Sequence, residues 1–321
     1  MTEQYFLHLR ENAWNDFEAL LSGGNKNFKQ NAFSFVQNLH AMTSDLNTAK
    51  ANAFDPAITE RLNALVREGN HILYRQRSNP LKEFSVFLFR TFPHSVRKNF
   101  KVIAACHLIF YGLYIFFMAF CAVHTDLAEF LVDGEQQVQM KEMYNPDSAY
   151  YLSPRGVSDD ADMFGFYIFN NVSIAFRTFA SGFFAGIGSL ASLIFNAVFL
   201  GAVSGIIIDA GFSSTFFSFV IGHSSFELTG IILSAASGLI LGYSFFFPHG
   251  MTRTASLSRC GKNCVPLIGG AAVLTTLAAV VEAFWSSRHE IPAIFHYIAG
   301  AFFWILLILY FIFCGRKNYA R

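Results

Sequence analysis

The sequence comprises 321 residues, of which 53% are hydrophobic, 17% aromatic and 14% charged, against about a quarter charged in an ordinary soluble domain. This excludes a soluble fold, which has too little interior to hide so much apolar surface, and the net charge of +1 excludes an overall basic field for nucleic acid. The five cysteines, Cys106, Cys121, Cys260, Cys264 and Cys314, are too scattered for a disulfide framework, and three of them sit inside apolar runs as small hydrophobes.

The start, MTEQYFLHLRENAW, has no secretory-signal pattern, so insertion is expected to rely on internal spans. Trp14, Phe17, Leu20 and Leu21 form a first helix face, ended by Gly23-Gly24. Phe28, Ala32, Phe35, Leu39, Met42, Leu46 and Ala49 recur every three or four residues and make a second. Asp55-Pro56 supplies an N-cap and a first-turn proline for a third, along Ile58, Leu62, Leu65, Val66, Gly69, Ile72 and Leu73. Residues 1–80 are therefore predicted to be a cytoplasmic three-helix domain. Residues 81–101 mix aromatics with Arg90, Arg97, Lys98 and Lys101, as suits an amphipathic elbow helix on anionic lipid.

The fold class expected from residue 102 onward is an all-α, polytopic membrane bundle over 102–315, with a cytoplasmic tail at 316–321. Val102–Val123 carries no formal charge and is long enough to cross about 30 Å of hydrocarbon. The segment 124–163 is rich in carboxylates (Asp126, Glu129, Asp133, Glu135, Glu142, Asp147, Asp159, Asp160 and Asp162) against Lys141 and Arg155. Basic residues crowd the other end of the span, which makes 124–163 periplasmic and both termini cytoplasmic. Leu267–Trp285 and Ile294–Phe313 form a hairpin around SSRHEIP, flanked by Arg253, Arg259 and Lys262 before it and by Arg316, Lys317 and Arg321 after it. Between these landmarks the crossings must be odd in number. Phe164–Phe183, Ile187–Asp209 and Phe226–Phe247 give about six spans in all, unless part of 164–209 is re-entrant around Asn170, Asn171 and Arg177. Gly182, Gly186, Gly188, Gly201 and Gly205 would permit close helix approach.

The paired Asn170-Asn171, the Gly182/Gly186 spacing, Asn196 before Leu200-Gly201, His223 four residues before Glu227, Gly238-Leu239-Ile240-Leu241-Gly242 and the later VEAFWS together resemble the stage II sporulation protein M family. The resemblance extends over the whole chain, with Leu62-Asn63-Ala64-Leu65-Val66, His71-Ile72-Leu73-Tyr74-Arg75 and Phe92-Pro93 similar to its Gram-negative branch. Where the family usually has glycine after the second asparagine and after the histidine, this chain has Ala197 and Ser224. The resemblance implies a membrane scaffold that organises envelope or peptidoglycan-associated proteins without cutting anything itself, in a homo-oligomer. The branch implies a MoxR-type AAA+ ATPase and its co-encoded membrane proteins as partners.

His223 and Glu227 share one helix face near the outer end of the Phe226 span, where they could share a proton, bind a cation, bond a neighbouring helix or cap the helix start. With Asn170, Asn171 and Asn196 they are the candidate functional cluster. Glu282 is a secondary candidate at the same level or an interfacial residue, and Arg177 and Asp209 are placed at the cytoplasmic ends of adjacent spans, pairing or snorkelling. There is no HExxH, GxSxG or P-loop, so the corresponding hydrolase mechanisms lack their carrier residues and no enzyme is expected. Cys260 and Cys264 supply two of the four ligands of a structural zinc, so no metal or cofactor is assigned. The alternative to a scaffold is a transporter or channel for a cation or small solute, because polar groups are least costly in lipid around a shared cavity.

Overall fold

Every regular element is helical among the residues that the computed structural model describes, which are 2–22, 32–74, 79–153, 156–248 and 250–316. Gly23-Gly24, Phe28, Arg75, Arg155, Lys317 and Arg321 lie outside them. The chain divides into two units, Met1–Glu83 and Phe84–Arg321.

The first unit holds α1 (Glu3–Ser22), α2 (Ala32–Ala51) and α3 (Pro56–Tyr74). Their apolar stripes meet: Trp14, Phe17, Phe35, Met42, Ala49 and Leu62 are almost wholly buried in one core. Asp55 starts α3 by accepting from the Ala57 backbone N–H at 2.7 Å, with Pro56 in the first turn. Gly69 lies against Leu39 and Phe17, and a Cβ there would require the end of the Leu39 side chain to shift. The buried carboxylate of Asp45 accepts from Trp14 Nε1 at 2.8 Å and from Arg10 Nε at 2.9 Å, which satisfies it inside the core.

The second unit opens within α4 (Pro80–Val86), followed by a π-helical turn (Phe87–Thr91) and α5 (Phe92–Lys98). The elbow thus divides in two. Leu81, Phe84 and Phe89 are exposed, whereas Phe92 and Val96 are buried, Phe92 lying so close to Gly270 that no Cβ would fit there. Then follow α6 (Phe100–Val123), the short α7 (Thr125–Ala128), α8 (Gly134–Tyr144), the short α9 (Ala149–Leu152) and α10 (Val157–Ala180). The chain continues through α11 (Ile187–Asp209), α12 (Ser213–Phe246), α13 (Arg253–Val281) with a π-helical turn at Glu282–Ser286, and α14 (Ala293–Phe313).

Among the described residues, five helices are long and apolar enough to cross a membrane: α6, α11, α12, α13 with its π turn, and α14. The expected Phe164–Phe183 span is not one of them. It is the latter part of α10, which begins seven residues earlier and carries Asp159, Asp160, Asp162, Asn170, Asn171 and Arg177. α10 nonetheless runs back from the far end of this unit toward the other, packing as an amphipathic helix against α12 and α13. It runs antiparallel to α13 and its π turn, because Asp160 pairs with Arg288 while Asn171 bonds Glu282, and its last turn abuts α12 where Phe179 meets Gly238. The other boundary that changes is that of α12, which starts at Ser213 rather than Phe226. The turn at 210–212, with Gly211 at φ +82°, follows α11 directly, and no proline interrupts 213–225 to delay the helix.

α6 and α11 run parallel, since Gly201 packs on Tyr114 and Phe117 while Gly205 packs on Met118 and Cys121. α12 returns antiparallel to α11. Gly182 faces the backbone of Gly238, and Gly242 faces Gly186, which sits at φ +81°. At these contacts backbone meets backbone, the geometry that small residues permit between membrane helices. One end of this unit, here the near end, carries Phe92, Arg97 and Tyr310. Arg97 Nη1 donates to the Phe311 carbonyl at 2.7 Å, and Tyr310 donates to that of Leu88 at 2.5 Å. The far end is covered by the acidic segment: Tyr144 of α8 stands edge-on to Phe216 at 4.9 Å, and its carbonyl accepts from Thr215 at 2.5 Å.

Candidate functional site

His223 and Glu227 lie ten and fourteen residues into α12, hence about 15 and 21 Å from its start at 1.5 Å per residue. The longer helix therefore carries them well inside the bundle, not to an outer end or a cap position as its expected start at Phe226 implied. His223 Nε2 is 3.7 Å from Glu227 Oε2 across one helical turn, and His223 Nδ1 is hydrogen-bonded to Ser286 Oγ at 3.1 Å.

The π turn closing α13 brings Glu282 to the same place. One ligand-competent atom from each of His223, Glu227 and Glu282 lies within 4.8 Å of the others. Glu282 in turn accepts from Asn171 Nδ2 at 3.3 Å, and Asn171 Oδ1 accepts from Asn170 at 3.2 Å. Asn171, His223 and Glu282 are buried, so α10, α12 and α13 meet at a polar point inside an apolar unit. A single-turn π helix is a common device where a helix must deliver side chains to a site.

A cavity of about 240 Å³ opens beside the cluster, bounded by His223, Glu227 and Glu282 on one side and by Tyr114, Val203, Ser204, Phe216 and Phe219 on others. Met140, Met143 and Tyr144 of α8 cover it from the far end. Glu227 keeps 20% of its side chain accessible there. Burial, reinforced by the nearby Glu282, pushes the Tyr144 phenol above its ordinary value, so it remains protonated. Among the described residues lining the cavity there is no lysine or arginine.

The structure thus brings together Asn170, Asn171, His223, Glu227 and Glu282, and leaves three sequence candidates apart. Asn196 is not at the cavity: its side-chain amide donates to the Ser192 carbonyl of its own helix at 2.7 Å, the usual local solution for such a group. Arg177 and Asp209 do not share an end and do not pair. Arg177 is one turn from Ser181, which touches Ser192 near the start of α11, while Asp209 closes that helix about 25 Å further on. Ser286, Tyr144 and Tyr114 were not identified from sequence. The four-residue spacing of Glu282 and Ser286 is the one signal that could have found a member of the set.

Fold and site define a multi-pass helical membrane protein with a polar cluster held between three of its helices. The chain belongs to the stage II sporulation protein M family, whose sequence model matches residues 90–287. That match lies within the second unit rather than over the whole chain. Residues 4–75 match a separate domain of unknown function, DUF8413. No curated protein and no solved structure matches the chain.

Proposed function

We propose that the chain is a non-catalytic scaffold of the bacterial inner membrane, organising envelope or peptidoglycan-remodelling proteins around its membrane unit. The observation that supports this reading is the packed core that closes the polar cavity along α12 on its near side, the second space there, about 290 Å³ between Phe226 and Tyr310, being lined by apolar side chains and the Tyr310 ring. The cavity reaches no further along α12 than Leu228, and beyond it Leu193, Ile231, Ile232, Ala235 and Ala236 are buried together. Backbone contacts of Gly182 with Gly238 and of Gly186 with Gly242 then lock the near half. A rigid bundle of this kind suits assembly of neighbours better than passage of a solute. Basic residues at the near end (Arg97, Lys98, Lys262) against the carboxylates of 124–153 favour a cytoplasmic near end. In this reading residues 1–80 recruit cytoplasmic partners, among them a MoxR-type AAA+ ATPase and its co-encoded membrane proteins.

The test is affinity purification in mild detergent with mass spectrometry, run on the full chain and on a chain lacking residues 1–80. Envelope proteins should be recovered with both, and the ATPase with the full chain alone. Recovery of no protein above a control membrane protein would sink the scaffold. A second reading, transport of a cation, is favoured by the cavity and the two carboxylates beside it. Its test is cation flux in liposomes, which Glu227→Gln should abolish at unchanged folded yield.

A further inference from the structure

We propose that His223, Glu227 and Glu282 bind one divalent first-row transition metal ion, Zn²⁺ fitting best, within the membrane unit. This goes beyond the scaffold reading and does not depend on it.

Two carboxylates converge with an imidazole inside an apolar bundle, and close like charges there need a counter-charge. Among the described residues lining the cavity none is a lysine or arginine. A divalent cation neutralises both carboxylates at once. The donor set of one nitrogen and two oxygens suits Zn²⁺, which takes His and Glu ligands at about 2.0–2.2 Å in tetrahedral array. Ligand atoms in such an array are about 3.3 Å apart. The His223–Glu227 separation of 3.7 Å is already close to this, and the widest spacing, under 4.8 Å, closes by modest rotation of the glutamates.

Outer groups orient all this in the required sense. With the Nδ1 proton donated to Ser286 Oγ, His223 keeps its Nε2 lone pair toward Glu227. The Asn171 amide donates to Glu282 Oε2 and so fixes the direction in which that carboxylate enters the cluster. Hydrogen bonds of this kind fix metal-binding tautomers and rotamers in known sites. The fourth coordination position faces the cavity of about 240 Å³, which has room for water.

The experiment uses full-length protein in mild detergent with Cys260 and Cys264 changed to serine, because those thiols lie 3.3 Å apart and would take zinc themselves. The protein is stripped with EDTA, dialysed against buffered Zn²⁺ and its metal counted by mass spectrometry. One zinc per chain is expected, with affinity at least tenfold weaker in Glu227→Gln and Glu282→Gln and roughly 10–100-fold weaker in Asn171→Ala. Co²⁺ loaded into the parent should give the intense visible spectrum of four-coordinate nitrogen and oxygen ligation, a readout that stands even if the glutamine variants do not fold. No zinc retained by the parent, equal affinity in folded glutamine variants, or a Co²⁺ spectrum like that of the free aqueous ion would each overturn the site.

Discussion

Asn171 and Glu282 stand 111 positions apart in the chain and are joined by a hydrogen bond of 3.3 Å that ties α10 to the π turn closing α13. The bond is buried, and a buried carboxylate that loses a donor bears the desolvation cost itself, about 1–3 kcal/mol or more. Asn171→Leu should lower the detergent-solubilised unfolding temperature by several degrees, whereas Asn170→Leu, on the exposed side of the pair, should shift it much less. Equal shifts for the two would mean that the link to Glu282 contributes nothing.

Gly182 tests the backbone locking of the near half. A methyl group there would run into the backbone of Gly238, which cannot rotate away as a side chain can. Gly182→Ala is therefore expected to reduce folded yield strongly. Gly261→Ala, in a helix and with nothing near its Cβ, should be neutral or stabilising by about 0.5–1 kcal/mol. Size-exclusion profiles of the two variants, expressed in parallel, distinguish these outcomes.

In the first unit, Leu62 is wholly buried at the meeting of three helices. Leu62→Asp places a carboxylate there without a partner, a change costing several kcal/mol against a small domain's total of about 5–15. Residues 1–80 expressed alone should be helical by circular dichroism, and the variant should lose that signal. A random-coil spectrum for the parent fragment would refute an independently folding unit.

Membrane orientation is checked by single cysteines in a cysteine-free background. Ser148 and Ser256 are natural choices from sequence, but both are buried, so the exposed Ala149 and Ala255 are the better reporters. On intact spheroplasts an impermeant maleimide should label Ala149→Cys and spare Ala255→Cys. The reverse pattern would place the near end outside.

The sequence by itself determined that the protein is helical and membrane-embedded, because a run such as Val102–Val123 without a charge has one stable environment whatever its neighbours do. It also determined the stripes of the first unit, since a face that recurs every three or four residues is a property of one helix alone. His223 and Glu227 were legible as a pair for the same reason. Their meeting with Glu282 and Asn171 was decided by tertiary structure, because it depends on three helices packing at one depth. So was the separation of Asn196, which is as polar as Asn171 but finds its partner in its own helix. The role of α10 belongs there too: its polar residues argue against a lipid-exposed span when read singly, yet Asn171 finds Glu282 in the π turn and Asp160 finds Arg288 just beyond it.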